Sequence, residues 1–403
     1  MNALVAPPLL AAIEMAPRDP ILGVTEAFNA DTNPRKVNLG VGVYCDEDGK
    51  VPLLECVRRA ERALTERGAP HIYLPIDGIA AFDRAVRNLL FGQDSEIVQS
   101  GRVVTVQALG GTGSLKVGAD FLRRFAPGAR VWISDPSWEN HRALFEGAGF
   151  TVNAYPYYDP RTHGLDFTGM IESLQRLPAG AIVVLHACCH NPTGVDPGDQ
   201  EWGRVIEVVR ARGLLPFLDL AYQGFGAGID ADGAIVRRFA ATPGPLFIAS
   251  SFSKSFSLYG ERVGALSISA AERDEAARVL SQVKRVVRGN YSSPPTFGSQ
   301  VAATILETPE LRALWESELG AMRERIQANR RSLVERLAAR GVDFGFVLQQ
   351  RGMFSYSGLA AAQVARLRSE FAIYAIDTGR ICVAALNSRN IDYVADAVAR
   401  VMA

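Results

Sequence analysis

The chain has 403 residues, 48% hydrophobic and 21% charged, enough to bury a large core spread over two or three domains. Forty-three basic residues balance 43 acidic ones, so no long-range field favours nucleic acid or an anionic membrane surface. The five cysteines, Cys45, Cys56, Cys188, Cys189 and Cys382, lack C-x-x-C spacing. That argues against a disulfide framework or a zinc knuckle and for a reducing, cytoplasmic setting.

Along the chain, Met1 to Met15 has no basic start, and Pro7-Pro8 and Glu14 interrupt its apolar run, so a secretory leader is not expected. No run reaches membrane-spanning length. The turn-rich stretch from Asn38 to Pro52 links an N-terminal segment to a large domain. From about Arg102 to Ser269, short apolar runs alternate with helix-period segments, the pattern of βα units feeding a mostly parallel sheet covered by helices. The expected strands are Val103 to Gln107, Val131 to Ser134, Val152 to Tyr155, Ile182 to His186, Leu215 to Leu220, Leu246 to Ser250 and Val263 to Ile268. Helical patterns run from Ser114 to Phe125 and from Gln200 to Arg212. Pro309 to Arg340 reads as one or two long amphipathic helices, and the runs around Phe354, Ile373 and Ile381 suggest a second, smaller α/β unit.

In an open α/β sheet, ligands bind beyond the carboxyl ends of the strands, so polar residues just after strands carry the chemistry. Four such places stand out: Gly110-Gly111-Thr112-Gly113 opening a helix, Asn191-Pro192-Thr193-Gly194, Asp219 with Tyr222, and Ser251-Phe252-Ser253-Lys254 followed by Arg262. The glycine turn offers backbone N–H groups that suit a phosphate, but it lacks the third glycine of a dinucleotide fingerprint and alone is only a tight turn. A lone loop lysine is normally just solvated. Beside Ser251, Ser253 and Arg262, however, Lys254 could act as a desolvated amine next to a clamped dianionic phosphate. Asp219 ends the apolar run L-L-P-F-L-D-L, where an ionised carboxylate needs a cation; a helix cap or structural ion pair would also serve. A lysine, a phosphate cradle and a strand-end carboxylate together are what pyridoxal phosphate requires.

At these residues the chain resembles the class I, fold-type I aminotransferases, which include aspartate and aromatic amino-acid aminotransferases. Further matches are N-L-G-V-G-V-Y from Asn38, Y-L-P-I-D-G from Tyr73, D-P-S-W-E-N-H from Asp135, H-A-C-C-H-N-P-T-G from His186, R-G-N-Y-S-S-P-P from Arg288 and G-R-I-C-V-A from Gly379. The resemblance covers nearly the whole chain. It implies an N-terminal arm over 1–16, a small domain of 17–48 plus 319–403, and a large cofactor-binding domain over 49–318. It also implies that Lys254 is the Schiff-base lysine, Asp219 the partner of the pyridinium nitrogen, Asn191 and Tyr222 ligands of the ring oxygen, and Trp138 the residue stacked on the ring. Gly111, Thr112, Ser251, Ser253 and Arg262 would hold the phosphate, with Tyr73 reaching it from the other subunit and His141 supporting Asp219. Arg380 would grip the substrate α-carboxylate, with Gly40, Trp138 and Asn191 beside it. Arg288 would cross a homodimer interface to a distal carboxylate.

The expected activity is ping-pong transfer of an amino group between an aromatic or dicarboxylic L-amino acid and 2-oxoglutarate. Aspartate aminotransfer with weak aromatic activity is the alternative. A β-lyase or decarboxylase on the same fold fits the paired Arg288 and Arg380 less well, and a DNA-binding regulator would need a basic unit that the residues before Asp19 do not supply. The partners are thus amino acids and 2-oxo acids. The H-A-C-C-H run invites a metal reading, but two histidines four apart in a strand would sit about 13 Å from each other, so no metal is expected.

Overall fold

The structure, a computed structural model, describes residues 9–68, 70 and 72–403. Residues 1–8 of the expected N-terminal arm lie outside the described residues. All seven predicted strands are present and form one sheet: β1 (Val103–Leu109), β2 (Val131–Asp135), β3 (Val152–Pro156), β4 (Ile182–His186), β5 (Leu215–Leu220), β6 (Leu246–Ser251) and β7 (Val263–Ser269). Their spatial order is β1-β7-β6-β5-β4-β2-β3. The ladders from β6 to β3 are parallel, whereas β7 runs antiparallel to both its neighbours.

Every residue of β4, β6 and β7 is buried, as expected of central strands covered on both faces. Side chains alternate between the two faces. Ile182 and Val184 pack with the helix Gly110–Phe125, while Val183 and Leu185 join the larger core on the other side. The helix expected from Ser114 begins at Gly110 instead, its glycines forming the first turn.

Pro309 to Ala338 is a single helix with proline in its first turn. Its buried residues, Trp315, Leu319, Met322, Ile326, Arg330, Leu333 and Leu337, recur every three or four positions, so one stripe faces inward. Trp315 ties this helix to the end of β6, since its Nε1 donates to the Ser255 carbonyl at 2.6 Å and its ring stacks on Phe256 at 4.6 Å.

The first and last segments of the described chain meet. The short strand Val37–Asn38 pairs in parallel with Ile373–Tyr374, Phe354–Tyr356 pairs antiparallel with Arg380–Cys382, and the Cys382 N–H donates to the Leu39 carbonyl at 2.7 Å. These pairings carry residues from both ends of the sequence to the carboxyl edge of the central sheet.

Candidate active site

A cavity of about 260 Å³ opens beyond β4, β5 and β6, where a parallel sheet leaves its strand ends free for a ligand. Its walls include Gly111, Thr112, Trp138, Asn191, Asp219, Tyr222, Ser251, Ser253, Lys254, Arg262 and Arg380. Three cationic side chains, Lys254, Arg262 and Arg380, thus line the cavity against one carboxylate, Asp219. That excess favours an anionic occupant.

Asp219 is the last residue but one of β5 and is 5% exposed. Burial alone would raise its carboxyl, but His141, with Nε2 2.9 Å from Oδ2, together with His186 and Lys254, brings it below the usual carboxylate range. His141 is fully buried and held in turn by Ser137, whose Oγ lies 2.9 Å from Nδ1. The carboxylate is therefore charged and fixed in place.

Lys254 stands on the turn after β6, with Nζ 5.0 Å from the centre of the Tyr222 ring. Desolvation pushes its amine down to about 8; Asp219 opposes that shift, while Arg262 and Arg380 add to it. An amine poised there is neutral in a useful fraction of molecules near neutral pH and can serve as nucleophile or base.

The anion cradle is built by a close approach of two elements. Gly110 has φ of +67°, and a Cβ there would sit 2.5 Å from Arg262 Nη2, so the guanidinium lies against the glycine turn. Arg262 Nη1 donates to the Tyr259 carbonyl at 2.8 Å and to Ser253 Oγ at 3.4 Å. The Ser253 N–H points to Ser251 Oγ at 3.4 Å. Hydroxyls, guanidinium and the start of the helix Gly110–Phe125 are a donor set matched to phosphate oxygens.

Arg380 is 1% exposed, yet among the described residues it makes no ion pair within 4.0 Å. Nη1 donates to Asn191 Oδ1 at 3.1 Å, Nη2 donates to the Gly40 carbonyl at 2.7 Å, and Cζ lies 4.3 Å from the centre of the Phe354 ring. Its Nε has no partner among the described residues. A buried guanidinium that lines a cavity and keeps an unpartnered donor is set to receive a carboxylate. Gly40 contributes its carbonyl to Arg380 rather than a cavity surface.

Trp138 meets His141 edge to face at 5.3 Å, and Tyr222 meets Phe354 at 5.8 Å, while burial pushes the Tyr222 hydroxyl well up. Besides Gly40, two expected site residues are not brought into this chain's own cavity. Tyr73 is 94% exposed, and Arg288 is exposed and donates to Ser292 Oγ.

The histidine run differs from expectation. The strand ends at His186, and Cys189 turns the chain with φ of +52°, so His186 and His190 do not lie about 13 Å apart as an extended strand would place them. Their ring centres are 4.2 Å apart. Both nitrogens of His190 are engaged, by Ser134 at 2.8 Å and Thr193 at 2.8 Å, whereas His186 has no hydrogen-bond partner among the described residues and lines the cavity. Burial keeps the His186 imidazole neutral, well below its usual range.

Ile21, Gly42, His186, Tyr259 and Phe354 also line the cavity and were not identified from sequence as part of the site. Tyr259 falls within the run after Lys254, and its hydroxyl accepts the Tyr44 N–H at 2.9 Å. Ile21 carries no local signal, because only the folding of the N-terminal segment places it there.

The profile of the family described as aminotransferase class I and II matches residues 34–398. An aspartate aminotransferase of Pseudomonas aeruginosa is 62% identical over 98% of this chain and 100% of its own length. An aromatic-amino-acid aminotransferase of Escherichia coli is 51% identical over 95% of this chain and 98% of its own. The crystal structure of an aromatic-amino-acid aminotransferase from Burkholderia pseudomallei, covalently bound to pyridoxal phosphate, superposes with a TM-score of 0.96 at 66% identity, covering 98% of this chain and 100% of that one. With its mostly parallel sheet, its strand-end cavity and this agreement over nearly its whole length, the chain belongs to the class I and II aminotransferases and is a transaminase.

Proposed function

We propose that this transaminase exchanges an amino group between an aromatic or dicarboxylic L-amino acid and 2-oxoglutarate, in ping-pong fashion, with pyridoxal phosphate as its cofactor. The observation that carries the reading is the cation excess of the cavity, in which Arg262 sits in a hydroxyl-rich cradle at one place and the buried Arg380 keeps a free Nε at another. Two anionic groups, a phosphate and a substrate carboxylate, match those two places.

When bound, pyridoxal phosphate supplies an electron sink that makes a substrate Cα proton removable. Gly111, Thr112, Ser251, Ser253 and Arg262 would hold its phosphate, Trp138 its ring face, and Asn191 and Tyr222 its ring oxygen. Asp219, kept ionised by His141 and Lys254, would keep a proton on the ring nitrogen. Lys254 would hold the cofactor covalently at rest and, once freed, carry the proton to and from Cα. Arg380, beside Gly40 and Asn191, orients the α-carboxylate so that the Cα proton meets Lys254.

The chain is further read as a cytoplasmic homodimer, with Tyr73 and Arg288 completing the other subunit's site. In support, both are exposed and outside their own cavity, and the described cysteines are all free. No helix among the described residues is long and apolar enough to cross a membrane. The division into an arm over 1–16, a small domain of 17–48 plus 319–403 and a large domain over 49–318 is supported by the pairing of Val37–Asn38 with Ile373–Tyr374.

Aromatic activity is favoured by the solved structure at 66% identity, and a mainly aspartate-directed enzyme by the Pseudomonas aeruginosa relative. Rapid mixing of the holoenzyme with phenylalanine, tyrosine, aspartate or glutamate, followed by visible absorbance, separates them. Bleaching by aromatic amino acids as well as a dicarboxylate supports the proposal. Bleaching by dicarboxylates alone supports the second reading, and no visible band after incubation with pyridoxal phosphate overturns both.

A further inference from the structure

Cys188 and Cys189 take no part in the chemistry above, yet they are 6% and 2% exposed and sit side by side on the turn between β4 and Asn191. Their sulfurs and a carboxylate oxygen of Asp232 all lie within 4.8 Å of one another. Asp232, 5% exposed in the first turn of the helix Ile229–Ala240, is pinned by three backbone donors: Gly224 and Gly226 to Oδ2 at 2.8 and 2.9 Å, and Ala227 to Oδ1 at 2.8 Å. A carboxylate offers about four lone-pair sites, so these bonds leave capacity for another ligand. The thiol pair is equally fixed, because Cys189 is held at φ of +52° while Asp196 accepts the Cys189 and His190 N–H groups at 2.7 and 2.9 Å. Backbone restraints thus hold two sulfurs and an oxygen in one small buried space.

We propose that Cys188, Cys189 and Asp232 form a binding site for a single soft divalent cation of the Zn2+ or Cd2+ class, distinct from the active cavity. Paired thiolates select such ions, and carboxylate oxygen is an accepted third ligand. Binding forms two metal–sulfur bonds and releases the two thiol protons to solvent, with no redox change. Two thiolates and a carboxylate leave one net negative charge around the ion. Two guanidiniums flank that charge: Arg323, which donates to the Gly224 carbonyl at 3.0 Å, and Arg330, which donates to the Gly352 carbonyl at 2.8 Å.

The cation would enter from the side of Gly352. Gly352 backs directly onto Cys189, since a Cβ there would meet the Cys189 Cβ at 2.5 Å and its sulfur at 3.0 Å. Gly352 lines a second cavity of about 420 Å³ together with Gly226, Ala227 and Arg330, and so stands between that cavity and Cys189. The site also borders the reaction machinery. Cys189 Sγ lies 3.9 Å from the Tyr222 carbonyl, and Asn191 is two residues further along the same turn. Metal binding removes the Cys189 thiol proton and with it the contact to the Tyr222 carbonyl, so occupancy disturbs the Tyr222 backbone and inhibits transamination. Of the other compact ligand group, His186 and Asp219 line the active cavity and His141 holds Asp219.

The test is titration of the holoenzyme with CdCl2 in a non-chelating buffer, reading thiolate–cadmium ultraviolet absorbance and turnover on the same sample. The expected result is one Cd2+ per chain, loss of turnover in step with the absorbance, and recovery on adding a chelator. Cys188→Ser and Cys189→Ser should each bind about 100-fold more weakly or not at all, whereas Cys45→Ser should bind like the parent. If Cys189→Ser does not fold, Cys188→Ser decides. No thiolate band in the parent, binding that survives either serine variant, or binding lost in Cys45→Ser overturns the site. A band with turnover unchanged overturns its coupling to the reaction.

Discussion

Lys254 lies between one carboxylate and two guanidiniums, and its proton affinity reports the balance. Desolvation brings the amine down to about 8 from an ordinary 10.5, with Asp219 holding it up and Arg262 and Arg380 pressing it down. In the cofactor-free chain, covalent capture of pyridoxal phosphate, trapped by borohydride, should therefore rise through a midpoint near pH 8. Asp219→Asn should move that midpoint down, and Arg380→Ala should move it up. A midpoint near the ordinary lysine value would remove the electrostatic basis for the role given to Lys254. The same shift bears on stability. Between about pH 8 and 10.5 the unfolded chain keeps a proton that the folded chain has lost, so this group's contribution to stability rises with pH across that window and is unfavourable below it. Lys254 and Asp219 could be picked out from the sequence because they stand at the carboxyl ends of apolar strands, and Arg262 because it follows the serines around Lys254. The unpartnered Nε of Arg380 and the bare nitrogens of His186 could not, since a missing partner is a property of the assembled cavity.

The glycine turn and β7 show how elements shape the cradle. A methyl group on Gly264 would lie 2.4 Å from the Gly110 carbonyl carbon, which is backbone and cannot swing aside. Gly264→Ala should cost about 1–3 kcal/mol of stability by denaturant unfolding and should weaken pyridoxal phosphate binding, because the turn it displaces faces Arg262. Unchanged affinity would mean that the turn is not part of the cradle. The central strands could be read from sequence because strands buried on both faces need near-continuous apolar runs, whereas the edge strand β3 is buried at only Val152 and Tyr155. The start of the helix Gly110–Phe125 could not: glycines are poor helix formers, and contact with β7 and Arg262 overrides that preference. Likewise, the strand period failed at His186, because Cys189 enters a left-handed conformation that no local rule assigns to cysteine.

At the scale of the whole molecule, the exposure of Tyr73 and Arg288 turns the dimer proposal into an experiment on mixed subunits. Lys254→Ala and Arg288→Ala chains, each inactive or impaired toward aspartate alone, should regain about a quarter of parental aspartate turnover when co-refolded in equal amounts, because half of the dimers would carry one intact site. No recovery despite confirmed hybrid formation would show that Arg288 serves its own chain or no site. Within one chain, Gly40 and Arg380 meet although 340 residues separate them. During synthesis at about 5–20 residues per second, Gly40 therefore waits roughly 20–70 s for its guanidinium partner. Lys254 and Asp219 leave the ribosome well before Arg380, so the half of the cavity that takes the cofactor can assemble while the carboxylate grip is still untranslated. A nascent chain stalled between those points could capture pyridoxal phosphate before it could recognise a substrate.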